Sequence, residues 1–554
     1  MLISLVANFL ISLIILGYSY FFKIIFLGVE NSSVKNLDFL YGVFFLILIS
    51  ILFNFFLPLN SIKFFLSISG IILFIISIFK KKILINYIGL LFFLFVFSFF
   101  TYWNGNNADS PVYHLQTINW VHDYKISFGL AILDWHYALN SVWHIFLSAL
   151  SFQYKSFNTL YTLGFIPFSF ILLEIINSNK NFKISYVTLF LSLSFLLFFS
   201  FVHPFRNGII FNHLGNPEVD TIGMIFFIIT GYIFLKYLET KNKNEYYLLV
   251  LSSIICPLIK LTYIGAIIFP VVALFVCKKK ISTLFNSVTF LSIFLGVFWI
   301  LRNFILSSCL LFPFKMTCVN TSWSLSKEQV SFYLNQTKSF ARDTPLREKY
   351  TNFDYTIHSN DWFLPWVKEY FFQDAFLKIS FFIFLFSIIL YFLLKLFFFL
   401  KNKNFKIEKL FYYALAIYSL NFFIWFQAPE IRFGWGILIF FPCLFLSLLL
   451  VKFNIFKKIK FDMFIPIILI LNLLLVYKNY KYFELKNLIQ PYNKLFNYTQ
   501  ILKIAESNDL EIFKSKNWMC ADFKGICVNK PKKNYLLEMK NSYLFIKTTD
   551  TETF

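Results

Sequence analysis

Apolar stretches of about twenty residues recur along the whole chain. They are separated either by lysine clusters or by loops rich in His, Asn, Asp and Trp. A bilayer-spanning helix needs about 20 mostly apolar residues. That template fits near 2–27, 39–57, 63–79, 83–101, 158–176, 184–203, 221–238, 246–259, 261–277, 284–305, 377–400, 408–426, 434–451 and 463–477. The pattern predicts an all-α polytopic membrane protein, a bundle of about fourteen transmembrane helices. The short pair 246–259 and 261–277, which meets at Lys260, also fits one broken re-entrant hairpin. The first run, Leu2 to Leu27, is longer than a signal-peptide core and lacks both a basic start and a small-x-small cleavage site, so it is expected to stay as a helix.

Lysine placement orients the bundle. With Lys80 to Lys82 set in the cytoplasm, alternation puts Lys180, Lys183, Lys241, Lys243, Lys278 to Lys280, Lys401 to Lys409 and Lys452 to Lys460 on the same side. The other side receives 102–157, 204–220, 306–376, 427–433 and a small C-terminal region, 478–554. The stretch 136–152 is apolar but short, carries His136, Asn140 and His144, and would break the lysine alternation if it spanned. It is therefore expected, with the rest of 109–152, to form one or two amphipathic helices on the outer surface, with Trp120, Trp135 and Trp143 at headgroup depth. On this topology all seven His and all five Arg lie outside or at outer helix ends.

Composition narrows the class further. With 58% hydrophobic and 14% charged residues, a soluble chain of 554 residues could not hide its apolar surface. The net charge of +22 would suggest nucleic acid in a soluble protein, but these basic residues sit between apolar runs and serve membrane orientation. No nucleic-acid partner is expected. The 81 Phe fit the codon usage of an AT-rich bacterial genome and carry no functional signal. Four of seven Cys fall on the exterior in two close pairs, predicting the disulfides Cys309–Cys318 and Cys520–Cys527.

Three exterior clusters could carry chemistry. The first runs from Tyr102 to His114, where Asp109, at the membrane surface, could take a proton from an acceptor hydroxyl while another substrate stays anchored in lipid. Asp109 equally fits the cap of a helix begun by Pro111, and the two roles can coexist. The second, His203 to Asp220, offers Arg206 with two acids, Glu218 and Asp220, a mix that suits a phosphate or a divalent metal; Asp220 also fits the cap of the next span. The third is the turn Gln427 to Gly436 with Arg432. Arg206, Arg302 and Arg432 sit at similar membrane depth and could converge on one phosphate, since Arg grips phosphate bidentately. Lys260 is a weaker candidate for the same task.

Absences are informative as well. The middles of the spans carry almost no ionisable side chains, which weighs against an ion-coupled transporter. The chain has no GxxxxGK[ST], GxSxG, HExxH or DxD motif.

This pattern resembles the GT-C glycosyltransferase superfamily, through Asp109 in an early exterior loop and the stretch from Tyr113 and His114 through Trp120 and Trp143, where that superfamily carries its surface helices. The chain looks most like uncharacterised bacterial polytopic proteins with a D-S-P-x-Y-H stretch and an R-F-G turn. It departs from the superfamily in having additional spans ahead of the loop and a single acid where several branches have an adjacent pair. The resemblance implies a GT-C-like domain over 1–477 and transfer of a sugar from a polyprenyl-phosphate donor to a glycan, lipid or protein acceptor, at the outer face of a bacterial cytoplasmic membrane. Asp109 would act as general base, Tyr113, His114, Arg206, Lys260, Arg302 and Arg432 would bind substrate, and Glu218 and Asp220 are the candidate metal ligands; a divalent metal is the one cofactor these residues suggest. Alternatives are a polysaccharide polymerase or O-antigen ligase, and a lipid-linked glycan flippase or transporter.

Overall fold

The computed structural model describes the chain except residues 1, 29–32, 81, 83, 100–108, 155–156, 178–182, 203–213, 344–353, 401–408, 453–463, 481–500, 508–509, 516–519, 521–522, 524–525, 529–534, 541 and 549–554. The protein is mostly helical. Among the described residues, nine helices are long and apolar enough to cross a membrane: Leu2–Leu27, Asn36–Asn54, Thr159–Asn177, Lys183–Ser200, Val219–Thr240, Ser287–Ser307, Ala375–Phe397, Lys409–Phe426 and Ile431–Lys452. The remaining five expected spans also fall on helices, but shorter ones. Tyr87–Ser98, for example, has 12 residues and begins where Asn86 caps it by accepting a hydrogen bond from the Gly89 amide. Twelve residues rise only about 18 Å, well under the ~30 Å hydrocarbon core.

Burial sorts the helices into inner and outer ones. Val219–Thr240 is 89% buried over its most apolar window and packs against Lys243–Ile259, Ile431–Lys452 and Lys183–Val202, whereas Ala375–Phe397 is 22% buried and turns Phe382, Leu393 and Leu396 outward. Several polar side chains inside the helices are satisfied locally: Ser12, Ser169 and Thr230 each donate to the carbonyl four residues back. Gly17 lets Leu2–Leu27 approach Lys63–Phe79 closely, since a Cβ there would fall 2.1 Å from the Gly70 carbonyl oxygen.

At the end of the bundle that the alternation assigns to lysine, charged side chains close a network between helices. Lys23 pairs with Asp38 at 2.6 Å, and Glu174 receives Lys236 at 2.8 Å and the Tyr232 hydroxyl at 2.9 Å. Lys236 also lies 3.3 Å from Glu245. These residues come from five segments that hydropathy and lysine alternation together put on one side.

At the opposite end, Ser110–His114 forms a π-helical turn that continues into the helix Leu115–Asp123, and a second helix follows at Val142–Leu150. None is a span, in line with expectation. The placement of Trp143 differs from it, however. Val142–Leu150 is buried along its whole length against Phe39–Asn54 and Leu115–Asp123, and Trp143 is 1% exposed, stacked on Phe146 rather than set among headgroups. An apolar nine-residue helix covered on all faces satisfies the same sequence pattern as one lying on a membrane.

The C-terminal region contributes β-structure. Ile501–Ser507 pairs antiparallel with Leu510–Ser515, Ile526–Val528 adds in parallel, and Tyr535–Lys540 with Tyr543–Thr548 forms a hairpin. Cys309–Cys318 and Cys520–Cys527 are both disulfide-bonded. The second of these lies against the surface helices, where Gln116 donates to the Phe523 carbonyl at 2.9 Å and Tyr137 to the Cys527 carbonyl at 3.1 Å.

Candidate functional site

Asp109 opens the π-helical turn with helical backbone angles and makes no capping hydrogen bond. Its carboxylate turns instead to Arg432, whose Nη1 donates to Asp109 Oδ2 at 2.6 Å. The capping role is therefore not the one its side chain plays. Arg432 stands in the first turn of Ile431–Lys452, directly after the Gln427–Glu430 turn, which is pinned by the Trp425 indole donating to the Glu430 carbonyl at 2.8 Å. The same guanidinium lies 3.8 Å from both Asp220 Oδ2 and Glu430 Oε1.

Asp220 sits inside the first turn of Val219–Thr240, after Glu218 at the N-cap, so it does not cap that helix either. It accepts a hydrogen bond from Lys260. Lys260 occupies the break between Lys243–Ile259 and the 3-10 turn Leu261–Ile267, with extended backbone, φ −150°. That break aims its ammonium both at Asp220 and over the Phe433 ring, 3.7 Å from the centroid. Four chain segments thus bring Asp109, Asp220, Lys260, Glu430 and Arg432 together at one end of the bundle. Asp109 is the most open of the carboxylates, its side chain 29% exposed against 8% for Asp220 and 3% for Glu430.

Behind Asp109 lies a buried histidine pair. His114 Nδ1 and His144 Nε2 are 2.9 Å apart, which requires one ring to donate and the other to accept, so at least one proton position is fixed by the partner. Burial pushes the His144 imidazole down to about 3 and drives His114 well below the usual histidine range, with His144, Arg432 and Lys260 adding repulsion at His114. Both rings are neutral at pH 7. Tyr113 stacks on His136 with centroids 4.6 Å apart, and His136 in turn bonds Asp134 at 2.7 Å. Burial, then the Asp109 charge, raises the Tyr113 hydroxyl well above its ordinary value.

Not all expected residues join this set. Arg302 donates to Asn54, whose amide in turn holds the carbonyls of Val121 and Tyr124, so it braces Leu115–Asp123 against Phe39–Asn54 and does not meet Arg432. Arg206 lies outside the described residues. Glu218 is fully buried at the N-cap beside Asp220. Among the described residues no three His, Cys, Asp or Glu side chains gather in a metal-binding group, and Asp220, proposed as a ligand, is already engaged by Lys260. Sequence reasoning did not single out Glu430, and it named His114 as a substrate-binding candidate without its pairing to His144. Glu430 stood next to Arg432 in a turn already marked, but nothing in the sequence separates a buried turn carboxylate from an exposed one.

The family described as "Domain of unknown function (DUF8201)" matches residues 1–439. The chain belongs to this family. No curated protein and no solved structure matches it. The DUF8201 region contains Asp109, Glu218, Asp220, Lys260, Glu430 and Arg432 and ends before the strands of the C-terminal region.

Proposed function

We propose that this DUF8201 protein is a membrane glycosyltransferase that moves a sugar from a polyprenyl-phosphate donor to a cell-envelope acceptor on the outer face of the bacterial cytoplasmic membrane. The observation that carries this reading is the Asp109–Arg432 pair, an open carboxylate held by a guanidinium at helix ends. A phosphate arriving from the lipid competes with Asp109 for Arg432, because a guanidinium binds either anion through the same paired N–H groups. Asp109, released, takes the proton of the acceptor hydroxyl as the acceptor oxygen bonds to the anomeric carbon. The bond from that carbon to the phosphate oxygen breaks, and the polyprenyl phosphate leaves with the electron pair, its charge met by Arg432. Attack from the face opposite the leaving group inverts the sugar.

The two disulfides support an oxidising compartment for the loops that hold them, and these loops share their side of the alternation with the site. The test is Asp109→Asn in membranes supplied with labelled lipid-linked sugar. Transfer should fall at least about a hundredfold, the usual worth of a positioned base. Undiminished transfer by folded, inserted variant would end the case for Asp109 as the base.

A further inference from the structure

The C-terminal hairpin alternates its two faces. Leu537, Leu544 and Ile546 are buried against Leu130, Leu133 and Tyr137, while Glu538, Lys540, Tyr543, Phe545 and Lys547 share the other face. The open face of a half-buried antiparallel sheet ordinarily carries polar side chains. Here two aromatic rings stand among the charges, and they form part of a cleft of about 380 Å³ completed by Phe128 and Trp323. That size lies within the ~300–1,000 Å³ typical of small-molecule sites.

The rings are held in fixed relation. Phe128 stacks on Phe545 with centroids 4.3 Å apart and joins the hairpin by backbone bonds to Leu544 and Ile546. Trp323 stands nearly perpendicular to Phe128, centroids 5.1 Å apart, so flat and upright rings meet in a corner. The Trp323 indole N–H makes no hydrogen bond to the described residues. The rim is charged: Lys547 pairs with Glu538 at 2.6 Å, Lys540 is exposed, and Lys125 lies 3.6 Å above the Tyr543 ring. Among the described residues that line the cleft, two lysines against one glutamate leave an excess of one positive charge.

We propose that this cleft binds an acidic sugar, a pyranose bearing a carboxylate. The C–H face of a pyranose is apolar and matches an aromatic ring, its hydroxyls suit a carboxylate–ammonium pair, and the excess lysine charge matches the acid. The proposal stands independently of the transfer reaction at Asp109, because it concerns a different group of residues and is read by binding alone.

The experiment titrates the full-length protein in detergent micelles with tetragalacturonate and, as the uncharged counterpart of equal length, maltotetraose, by calorimetry. Tetragalacturonate should bind about tenfold or more tighter than maltotetraose, and Trp323→Ala and Lys540→Glu should each weaken it about tenfold. Lys540 is exposed, so its reversal tests the charge contribution without disturbing the rings. Binding of neither oligosaccharide, or equal binding of both, would overturn the proposal. So would equally tight binding of a short-chain phosphatidylglycerol, which would assign the cleft to a lipid headgroup.

Discussion

Arg432 and Asp109 lie 323 residues apart in the chain and 2.6 Å apart in space. Because Arg432 also faces Asp220 and Glu430, the two partners are not equivalent. Removing Asp109 leaves the guanidinium with other carboxylates, whereas removing Arg432 leaves several carboxylates facing one another. Arg432→Gln should therefore destabilise more than Asp109→Asn, by about 1–3 kcal/mol, and adding Asp109→Asn to Arg432→Gln should recover part of that loss. Thermal unfolding of the three variants checks this. Equal losses for both single variants would mean that Arg432 has no second partner of consequence.

Among the described residues Lys260 is the cation nearest Asp220, and Arg432 lies farther off at 3.8 Å. Both side chains are largely buried, and breaking a buried pair by deleting one partner costs about 3–5 kcal/mol. Lys260→Met should lower thermal stability strongly. Lys260→Met with Asp220→Asn should be markedly more stable than Lys260→Met alone, since no uncompensated carboxylate remains. A double variant as unstable as the single one would locate the role of Lys260 in its packing over Phe433.

The His114–His144 pair gives the protein a pH limit. Both rings are held below the value they have in an unfolded chain, about 6.5. Above that pH neither state takes up protons and stability is constant. As pH falls below about 6.5, the unfolded chain gains protons that the folded pair refuses, so stability declines down toward pH 3. Between pH 7.5 and 5.5 the loss is about 1.4 kcal/mol for each such histidine. Unfolding midpoints measured at both pH values should differ accordingly, and His144→Gln should flatten the profile. An unchanged midpoint would show that the folded pair accepts protons freely.

Hydropathy and lysine alternation gave a residue's depth along the membrane normal, and at that level the sequence was legible. Asp109, Asp220, Lys260 and Arg432 were all assigned to one membrane face, and they meet. Depth says nothing of the position around the bundle, and this is where the reading failed. Arg302 shares the depth of Arg432 but faces Asn54. The same limit applies to burial: His114, His144 and Trp143 have the composition of a surface loop and are covered only because distant helices pack over them.

Charge makes the phosphate demanding. Asp109, Glu218, Asp220 and Glu430 against Lys260 and Arg432 leave two excess negative charges among the described residues of the site. A phosphate donor needs additional positive charge there, supplied either by Arg206 or by a divalent cation. Chelation with EDTA and the substitution Arg206→Gln separate the two sources. If transfer is lost with EDTA and restored by magnesium or manganese, a metal carries the phosphate; if EDTA has no effect and Arg206→Gln abolishes transfer, the arginine does. Transfer that survives both would remove the phosphate from this site.

Gly129 is the point on which the C-terminal hairpin depends. Its φ of +75° is a left-handed conformation, and a Cβ there would fall 2.5 Å from the Ile546 carbonyl oxygen and 2.9 Å from Trp323 Cβ. Its own amide donates to the Ile305 carbonyl at 3.0 Å, so three distant segments crowd onto one residue without a side chain. Gly129→Ala carries a backbone cost of about 1 kcal/mol. It must also push the hairpin away, because both obstructing atoms belong to backbone or to a Cβ that cannot swing aside. The hairpin should then become the first part of the chain cut by limited proteolysis, at a protease level that leaves the native protein intact. Unaltered cleavage in the variant would show that the hairpin is held by its apolar face alone, through Leu537, Leu544 and Ile546.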